Sequence, residues 1–399
     1  MAEGALSHIR VLDLSRVMAA PWCTQILADL GADVIKIERP GEGDDTRGWG
    51  PPFLPGGRDA GYFLACNRGK RSVTVDMAKP EGQAIIRKLA ESADVCVENF
   101  KVGALARYGL DAASLRAINP RLVYCSVTGF GQSGPRAGQA AYDFAIQAMG
   151  GLMSITGERD DAPGGGPQKV GVPVVDMMTG MYATVGILAA LERRNITGVG
   201  ERIDLAMLDV QAAFLSNQSM NWLMGGKTPT RHGNRHPNVQ PQDVFPCSDG
   251  HFVLAVGNDG QFAKMAAAVG RPEWAEDARF ATNRARVENG DAMRAALLAR
   301  FADFTRAEIT AALESAGVPA APINTIPQVF EEPQIRHRNM LRRLPHAVAG
   351  DVPTVVSPLN FTETPLQYEK GPPILGQHTA EILAELGLDH AALAAKGVV

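Results

Sequence analysis

Asp176 is the residue best placed to do chemistry in this sequence. It follows the apolar run VGVPVV and directly precedes MMTGMYATVGILAAL (177–191), which has the pattern of a buried helix rich in small residues. A carboxylate near a helix N-terminus is oriented by free backbone amides, and the helix dipole stabilises its charged form. An ordinary Asp N-cap gives the same pattern, and the spacing alone favours that structural interpretation.

Histidine chemistry is missing from the first half of the chain. No histidine lies between His8 and His232, and the sequence has no HExxH motif, P-loop or metal-spaced Cys/His cluster. We therefore expect no metal site and no Ser-His-Asp or Cys-His arrangement there. Catalysis in this half must use carboxylates, backbone amides or the chemistry of a cofactor.

Three further segments carry candidate binding residues. Arg39 follows a predicted strand, where it could grip a phosphate or pair with a neighbouring acid such as Glu38 or Asp44. Asn99 and Phe100 follow another strand, and Phe100 could stack on an adenine or fill the core, with composition favouring the core. The glycine-rich loop GFGQSGP (129–135) suits close approach of a ligand. The loop RHGNRHPNVQPQ (231–242) is either a solvated interdomain linker or a carboxylate-recognition loop.

Alternating helix and strand patterns must position these residues. Apolar runs at 11–14 and 34–38 predict strands on either side of a helix at 20–30, and this βα pattern recurs through strands near 72–77, 94–100 and 121–131. Repeated units of this kind predict an α/β fold with a mostly parallel sheet. The first loop, SRVMAAPW, contains no glycine, which points away from NAD and FAD.

Composition excludes several function classes. The chain has 399 residues, 45% of them hydrophobic, and a net charge of −4, so no basic excess favours nucleic acid. The longest mostly apolar run is shorter than the roughly 20 residues that span a membrane. Five scattered cysteines favour reduced thiols, and the N-terminal sequence lacks a secretory pattern, so we expect a cytoplasmic protein.

A change in composition near residue 225 marks a second module. The polar stretch 225–242 is followed by a hairpin pattern around Ser248-Asp249-Gly250 and by several helices to about 315. Strand patterns return at 350–361, and a terminal helix is expected at 376–388. We expect a large domain over 1–224, a small domain over 225–325, and a linker with a C-terminal part over 326–399 that returns to the large domain.

Five blocks in this order resemble the class III CoA-transferases, also called the CaiB/BaiF or formyl-CoA transferase family: VLDLSRVMAAPWCTQILADLGADVIKIERPGEGDDTR, NRGKRSVTVDM, DVCVENFKVGALARYGL, GFGQSGP and PPILGQHTAEIL. The resemblance covers nearly the whole chain. It implies a Rossmann-like large domain built from both chain ends, an inserted small α+β domain, and an interlocked homodimer.

The same resemblance assigns roles to particular residues. It implies that Asp176 is the nucleophile, that CoA thioesters are substrates, and that no cofactor is tightly bound. The implied CoA contacts are Val17, Arg39, Val75, Met77, Ala78, Asn99, Phe100, Arg107 and Tyr142.

Departures from the family pattern bear on the substrate. Met18 stands where formyl-CoA transferases have Gln, and no run of glycines follows Gly233, so oxalate or formate is not expected. The block GNRHPNVQPQDVF resembles members that act on dicarboxylates, with succinyl-CoA as the expected donor. Substrate contacts are then expected from Tyr142, Asn234, Arg235 and His236.

Two alternatives stay open on sequence grounds. An α-methylacyl-CoA racemase shares the fold, but its His-Asp pair falls where this chain has Tyr142-Asp143. Without that histidine an obvious base for α-proton abstraction is missing. A non-catalytic CoA-binding protein is the other alternative, and the retained Asp176 speaks against it.

Overall fold

The computed structural model describes residues 4–399, which form two compact units. The large unit contains the chain up to Leu152 together with Val170–Ser219 and Gln334–Val399, and the small unit contains Met153–Lys169 and Met220–Pro333. The small unit therefore takes in residues 153–169, which precede the composition change near 225.

A six-stranded parallel sheet, in the order β3-β2-β1-β4-β5-β6, forms the centre of the large unit within residues 4–399. Its strands are β1 (Arg10–Asp13), β2 (Asp33–Glu38), β3 (Lys70–Thr74), β4 (Val95–Glu98), β5 (Val123–Thr128) and β6 (Arg202–Ala206). β1 pairs with β2 on one side and β4 on the other, so the strand order reverses there. This reversal opens a crevice at the carboxyl ends of β1 and β4.

Helices cover both faces of this sheet. Those of the first half and its continuation are α1 (Ala19–Asp29), α2 (Gly61–Leu64), α3 (Pro80–Ser92), α4 (Ala112–Ile118), α5 (Asp143–Met149), α6 (Leu152–Ile155), α7 (Val174–Thr197), α8 (Met207–Phe214) and α9 (Ser216–Gly225). One face buries Ile85 of α3 and Leu115 of α4, and the other buries Leu27 of α1 and Ile187 of α7. Because both faces are covered, the central strands bury apolar residues on both sides, and the charged residues among them, such as Asp13 and Lys36, are also buried.

α7 and α1 pack very closely on one face of the sheet. At Gly180, an added Cβ atom would lie 2.7 Å from the carbonyl oxygen of Ala19 and 2.9 Å from the Trp22 ring. Glycine is therefore required where the two helices meet. By length and composition alone α7 could also cross a bilayer, but half of its most apolar stretch is buried inside the protein, as in core helices that pass the same test.

One sequence-based expectation about this unit was wrong. The pattern of residues 205–225 predicts one long helix after the turn NITGVGERID, but Arg202–Ala206 forms β6 and the remainder divides into α8 and α9. β6 lies at the edge of the sheet beside β5, and its Arg202 and Asp204 are exposed. Polar residues on an edge strand weaken the apolar pattern that identifies strands.

The small unit contains a three-stranded antiparallel sheet, β7-β8-β9, within residues 4–399. Its elements are β7 (Gln242–Cys247), β8 (Gly250–Ala255), α10 (Asp259–Ala268), α11 (Asn283–Glu288), α12 (Gly290–Phe301), α13 (Arg306–Ser315), β9 (Ala320–Pro322) and α14 (Ile326–Glu331). The hairpin around Ser248-Asp249 is confirmed. Phe301 packs edge-on against Phe245 and Phe252 in the core, with ring centroids 5.1 and 5.2 Å away.

The chain then returns to the large unit. The remaining elements are α15 (Pro333–His337), β10 (Leu341–His346), β11 (Gly350–Val355), α16 (Thr379–Glu385) and α17 (His390–Ala395). β10 and β11 form an antiparallel hairpin, and Ile382 and Leu383 of α16 join the core under the parallel sheet.

Candidate active site

A cavity of about 190 Å³ lies at the carboxyl ends of β1, β4 and β5. Its walls come from the segments that follow these strands, from the loop before α5, and from the start of α7. The lining includes Arg16, Val17, Met18, Ala19, Asn99, Phe100, Lys101, Gly129, Ala141, Tyr142, Asp176 and Met207. Open α/β sheets bind ligands at this place, so the topology and the cavity agree.

Asp176 faces this cavity from the first turn of α7. The helix begins at Val174 with Pro173 as N-cap, so the expectation of Asp176 as an ordinary N-cap was wrong. Its side chain is 8% exposed, and no hydrogen-bond donor from residues 4–399 satisfies the carboxylate. The residue therefore has no structural bond that a reaction would have to break.

Asp143 occupies the capping role instead. One of its carboxylate oxygens accepts hydrogen bonds from the backbone amides of Val175, at 2.7 Å, and Asp176, at 3.1 Å, and the other accepts from the Gln147 side chain. Asp143 is the first residue of α5, 33 positions before Asp176. It thereby anchors the turn that carries the candidate nucleophile.

Two causes keep Asp176 from ionising easily. Burial, and secondarily the negative charge of Asp143, raise the pKa of Asp176 to about 7 from the usual 3.8. A buried carboxyl with few donors favours its neutral form because its charged form loses hydration. Once ionised, the carboxylate is poorly solvated, which suits it to attack a carbonyl carbon.

The loop between β1 and α1 forms the opposite wall. Asn99 clamps the Arg16 peptide, since its Oδ1 accepts from the Arg16 amide at 2.9 Å and its Nδ2 donates to the Arg16 carbonyl at 2.6 Å. α1 then begins at Ala19, and its N-cap, Met18, makes no side-chain cap. The first-turn amides of α1 are thus available to stabilise negative charge in the cavity.

The expected CoA contacts fall into two groups. Val17, Asn99, Phe100 and Tyr142 line the cavity together with Asp176, whereas five others lie outside its lining: Arg39, Val75, Met77, Ala78 and Arg107.

Most residues of the second group lie at the surface or near it. Arg39 forms the ion pair with a neighbouring acid that the sequence allowed, at 3.0 Å, although the acid is Glu42 and not Glu38 or Asp44. The Arg107 guanidinium donates to the Ala104 carbonyl. Both guanidinium groups are exposed to solvent. The Val75 side chain is 1% exposed within the sheet core, which leaves its backbone as the part that a ligand could contact.

The expected substrate residues other than Tyr142 belong to the small unit. Arg235 donates to Asp291 at 2.7 Å, and the Asp291 side chain is largely exposed. Nδ1 of His236 accepts from the amides of Asn238 and Val239, so Nε2 carries the ring proton and stays a donor. The loop with Asn234, Arg235 and His236 is therefore ordered by its own hydrogen bonds, unlike a solvated linker.

Sequence reasoning missed several residues of the site. The charge of Asp176, after burial, contributes to raising the pKa of Tyr62 to about 12, which places Tyr62 within electrostatic reach of the carboxylate. Lys101 adds positive charge to the cavity, whereas Arg16 is paired with Asp45 of the lining at 3.1 Å. The Arg16 guanidinium also lies 5.3 Å from the Phe100 ring centroid. Arg16 was detectable, since it adjoins Val17, but Tyr62 and Asp143 depend on folding to reach the site.

Within the described residues 4–399, no group of three or more His, Cys, Asp or Glu side chains is arranged to hold a metal ion. Fold and site together define an α/β enzyme with a buried carboxylate at the switch point of a parallel sheet. The chain belongs to CoA-transferase family III, whose family model matches residues 6–379.

Individual relatives match over almost their full lengths. Succinate–glutarate CoA-transferase from Agrobacterium fabrum is 48% identical, over 96% of this chain and 95% of its own. Succinyl-CoA:glutarate CoA-transferase from Mus musculus is 40% identical, over 96% and 86% respectively. The crystal structure of a CAIB/BAIF family protein from Brucella suis is 48% identical and superimposes with a TM-score of 0.84, covering 97% of this chain and 100% of its own.

Proposed function

We propose that this protein transfers CoA from succinyl-CoA to a small dicarboxylate, with glutarate as the first acceptor to test. The observation that carries the proposal is the buried, unbonded carboxylate of Asp176 in a cavity at the sheet's switch point. The names of the two relatives supply the donor and acceptor class. Both describe transfer between succinyl-CoA or succinate and glutarate.

The proposed reaction begins with covalent capture of the acyl group. The Asp176 carboxylate attacks the thioester carbonyl of succinyl-CoA, the C–S bond breaks, and a mixed anhydride and CoA thiolate form. The thiolate attacks the aspartyl carbonyl, which releases succinate and leaves an aspartyl-CoA thioester. Each step exchanges one carboxylate or thiolate for another, so no net proton is consumed.

The acceptor completes the cycle by the reverse order of steps. Its carboxylate attacks the aspartyl thioester, which again gives an anhydride and a thiolate. The thiolate attacks the acceptor acyl carbon, so the new thioester forms and Asp176 is regenerated. Each tetrahedral intermediate carries an oxyanion, for which the Ala19 amide in the first turn of α1, unbonded within residues 4–399, is a donor in the cavity wall.

On the family resemblance we also propose that Tyr142, Asn234, Arg235 and His236 contact the substrate. Arg235 offers a planar guanidinium suited to bidentate carboxylate binding, and its present partner Asp291 is exposed and exchangeable. His236 offers its Nε2 proton, and Asn234 and Tyr142 offer further donors. A monocarboxylate would leave these donors unmatched.

The assay supplies succinyl-CoA with a panel of mono- and dicarboxylates and identifies acyl-CoA products by mass spectrometry. Glutaryl-CoA should form in wild-type protein and be lost in Asp176→Ala, with Asp204→Asn as a control carboxylate in the same unit. A covalent acyl or CoA adduct on the Asp176 peptide is expected. Epimerisation of a branched acyl-CoA without any transfer would instead support the racemase alternative.

We also propose an interlocked homodimer, on the family resemblance and on one surface of the large unit. Phe144 of α5 and Tyr182 and Val185 of α7 are between 47% and 61% exposed, and Tyr142 is 65% exposed. Apolar patches of this kind mark protein interfaces. Sedimentation equilibrium should give twice the chain mass of 42.5 kDa and no dissociation on dilution. A concentration-independent mass of 42.5 kDa would contradict the proposal.

We further propose that the protein works in the cytoplasm and needs no tightly bound cofactor. All five cysteines are free thiols, and four of them are buried. Burial raises the pKa of Cys23 and Cys66 to about 12, which keeps these thiols protonated. Denatured protein from freshly lysed cells should titrate five thiols with a disulfide reagent, and fewer would contradict a reducing compartment.

A further inference from the structure

The loop of residues 15–17, here called the β1–α1 loop, is fixed one peptide at a time. Asp13 accepts from the Ser15 amide at 2.9 Å, and Asn99 clamps both sides of Arg16. The Ser15 carbonyl accepts from Nζ of Lys36 at 2.8 Å. A surface loop does not need this many restraining hydrogen bonds, and the β1–α1 loop lies at the cavity that holds Asp176.

Val17 has an unusual backbone conformation. Its φ angle is +71°, and in the described part of the chain, 4–399, only Ser216 and Asn339 share a positive φ among non-glycine residues. A β-branched side chain in this region is strained, so surrounding contacts must hold it there. Strain of this kind is concentrated at functional sites.

Asp44 supplies the contact that holds Val17. Its two carboxylate oxygens lie 3.2 and 3.3 Å from the Val17 amide, which donates to them. Asp44 is itself fixed by Nζ of Lys36 at 2.9 Å and by the amide of Thr46 at 3.0 Å. The Lys36 and Asp44 side chains are both fully buried. Lys36 therefore reaches the loop twice, directly at Ser15 and through Asp44 at Val17.

We propose that Asp44 is a positioning residue for the transfer reaction, and that the Lys36–Asp44 pair holds Val17 in its left-handed conformation. This rests on the proposed function. The conformation at Val17 aims the peptide that enters Met18 and α1, so it sets the direction of the amides opposite Asp176. Without Asp44, Val17 relaxes to a negative φ and the α1 amides turn away from the reacting carbonyl.

A glycine test separates positioning from simple stabilisation. Glycine adopts a φ of +71° without strain, whereas alanine carries nearly the same penalty as other L-residues. Asp44→Ala, which removes both acceptor oxygens, is therefore made in three backgrounds: wild type, Val17→Gly and Val17→Ala. We measure kcat, KM for succinyl-CoA, and the dissociation constant of CoA by calorimetry for each protein.

Asp44→Ala should lower kcat by about tenfold or more in the wild-type and Val17→Ala backgrounds, as expected for a misplaced catalytic group. In the Val17→Gly background the same change should lower kcat by less than about threefold. Equal losses in all three backgrounds, or equal rescue by alanine and glycine, would overturn the proposal.

Asp29→Ala is the matched control. Asp29 forms a buried two-bond ion pair with Arg68, at 2.8 and 2.6 Å, in the same unit and outside the cavity lining. Its effect should not depend on residue 17. If Asp44→Ala does not fold with Lys36 left unpaired, Lys36→Met/Asp44→Ala removes both charges and replaces it in the same three backgrounds.

The design also separates the proposal from the proposed function. If wild-type protein transfers no CoA to any acid, the proposed function fails. The effect of the Asp44 substitution is then compared across the three backgrounds by the dissociation constant of CoA, because Val17 lines the cavity whichever reaction occurs there. A CoA affinity weakened by Asp44→Ala and restored only by Val17→Gly supports the positioning role.

Discussion

Replacing Asp143 with Asn tests the electrostatics of the candidate nucleophile. The pKa of Asp176 rises from 3.8 to about 7 through burial first and the charge of Asp143 second. The whole difference corresponds to about 4 kcal/mol in favour of the neutral carboxyl. At pH 7 about half of the molecules are ionised at Asp176, and at pH 5 about 1%.

In wild-type protein kcat/KM should therefore fall on the acid side of pH 7, by about tenfold per pH unit. Asp143→Asn removes one of the two causes and keeps an oxygen that can accept from the Val175 and Asp176 amides. The midpoint of the acid limb should move to lower pH, yet stay above 3.8 because Asp176 remains buried. At pH 5 the variant should then retain a larger share of its plateau activity than wild type.

The assay is the pH profile of kcat/KM for succinyl-CoA and glutarate between pH 4.5 and 9, with Asp204→Asn as control. Asp204 accepts from the Gln132 amide and does not contribute to the pKa of Asp176. A wild-type profile without an acid limb near pH 7 would refute ionisation of Asp176 as the controlling event. An unchanged midpoint in Asp143→Asn would refute the contribution of the neighbouring charge.

Three further predictions follow from the same contacts. Asp176→Asn should stabilise the fold by about 1–4 kcal/mol at pH 8 and by less at pH 5, as measured by urea unfolding. The reason is that the folded wild-type protein binds the Asp176 proton more tightly than the unfolded chain, so its stability falls as the pH rises from about 4 to 7. A stabilisation that does not depend on pH would contradict this. Arg235→Ala should raise KM for glutarate by about tenfold or more and leave KM for a monocarboxylate acceptor unchanged. The control Arg284→Ala, which removes an exposed ion pair with Glu288, should change neither KM value. Equal effects of Arg235→Ala on both acceptors would exclude binding of the distal carboxylate by Arg235. Phe301→Ala should lower the free energy of unfolding of the small unit by about 3–5 kcal/mol, measured by fluorescence, and Phe304→Ala at the partly buried edge of the core should lower it by less. Equal losses would contradict the central role of Phe301.

Local sequence signals predicted much of the fold. Strands β1 and β2 and helix α1 were expected from apolar periodicity, and the β7–β8 hairpin from its turn residues. β6 was missed because its stability comes from pairing with β5 and its exposed face is polar. That pairing joins residues about 80 positions apart, beyond the reach of any local pattern.

The candidate site was only partly accessible to sequence reasoning. Asp176 was identified at the correct helix end, but its expected capping role belongs to Asp143. A short side chain 33 residues away gives no periodic or spacing signal. The strained φ of Val17 is likewise invisible in the sequence, because a valine normally avoids that conformation and nothing nearby in the chain requires it.

The glycine where α1 and α7 cross fixes the spacing of these two helices at the site. Gly180 lies one helical turn after Asp176, and it touches the carbonyl of Ala19, the first residue of the facing helix. Because residue 180 has no Cβ atom, α7 can lie this close to α1, and this close packing determines how far Asp176 lies from the amides of α1. Any mutation that spreads these helices would act on the reaction without touching a ligand, so the mutational tolerance of this helix crossing is coupled to catalysis.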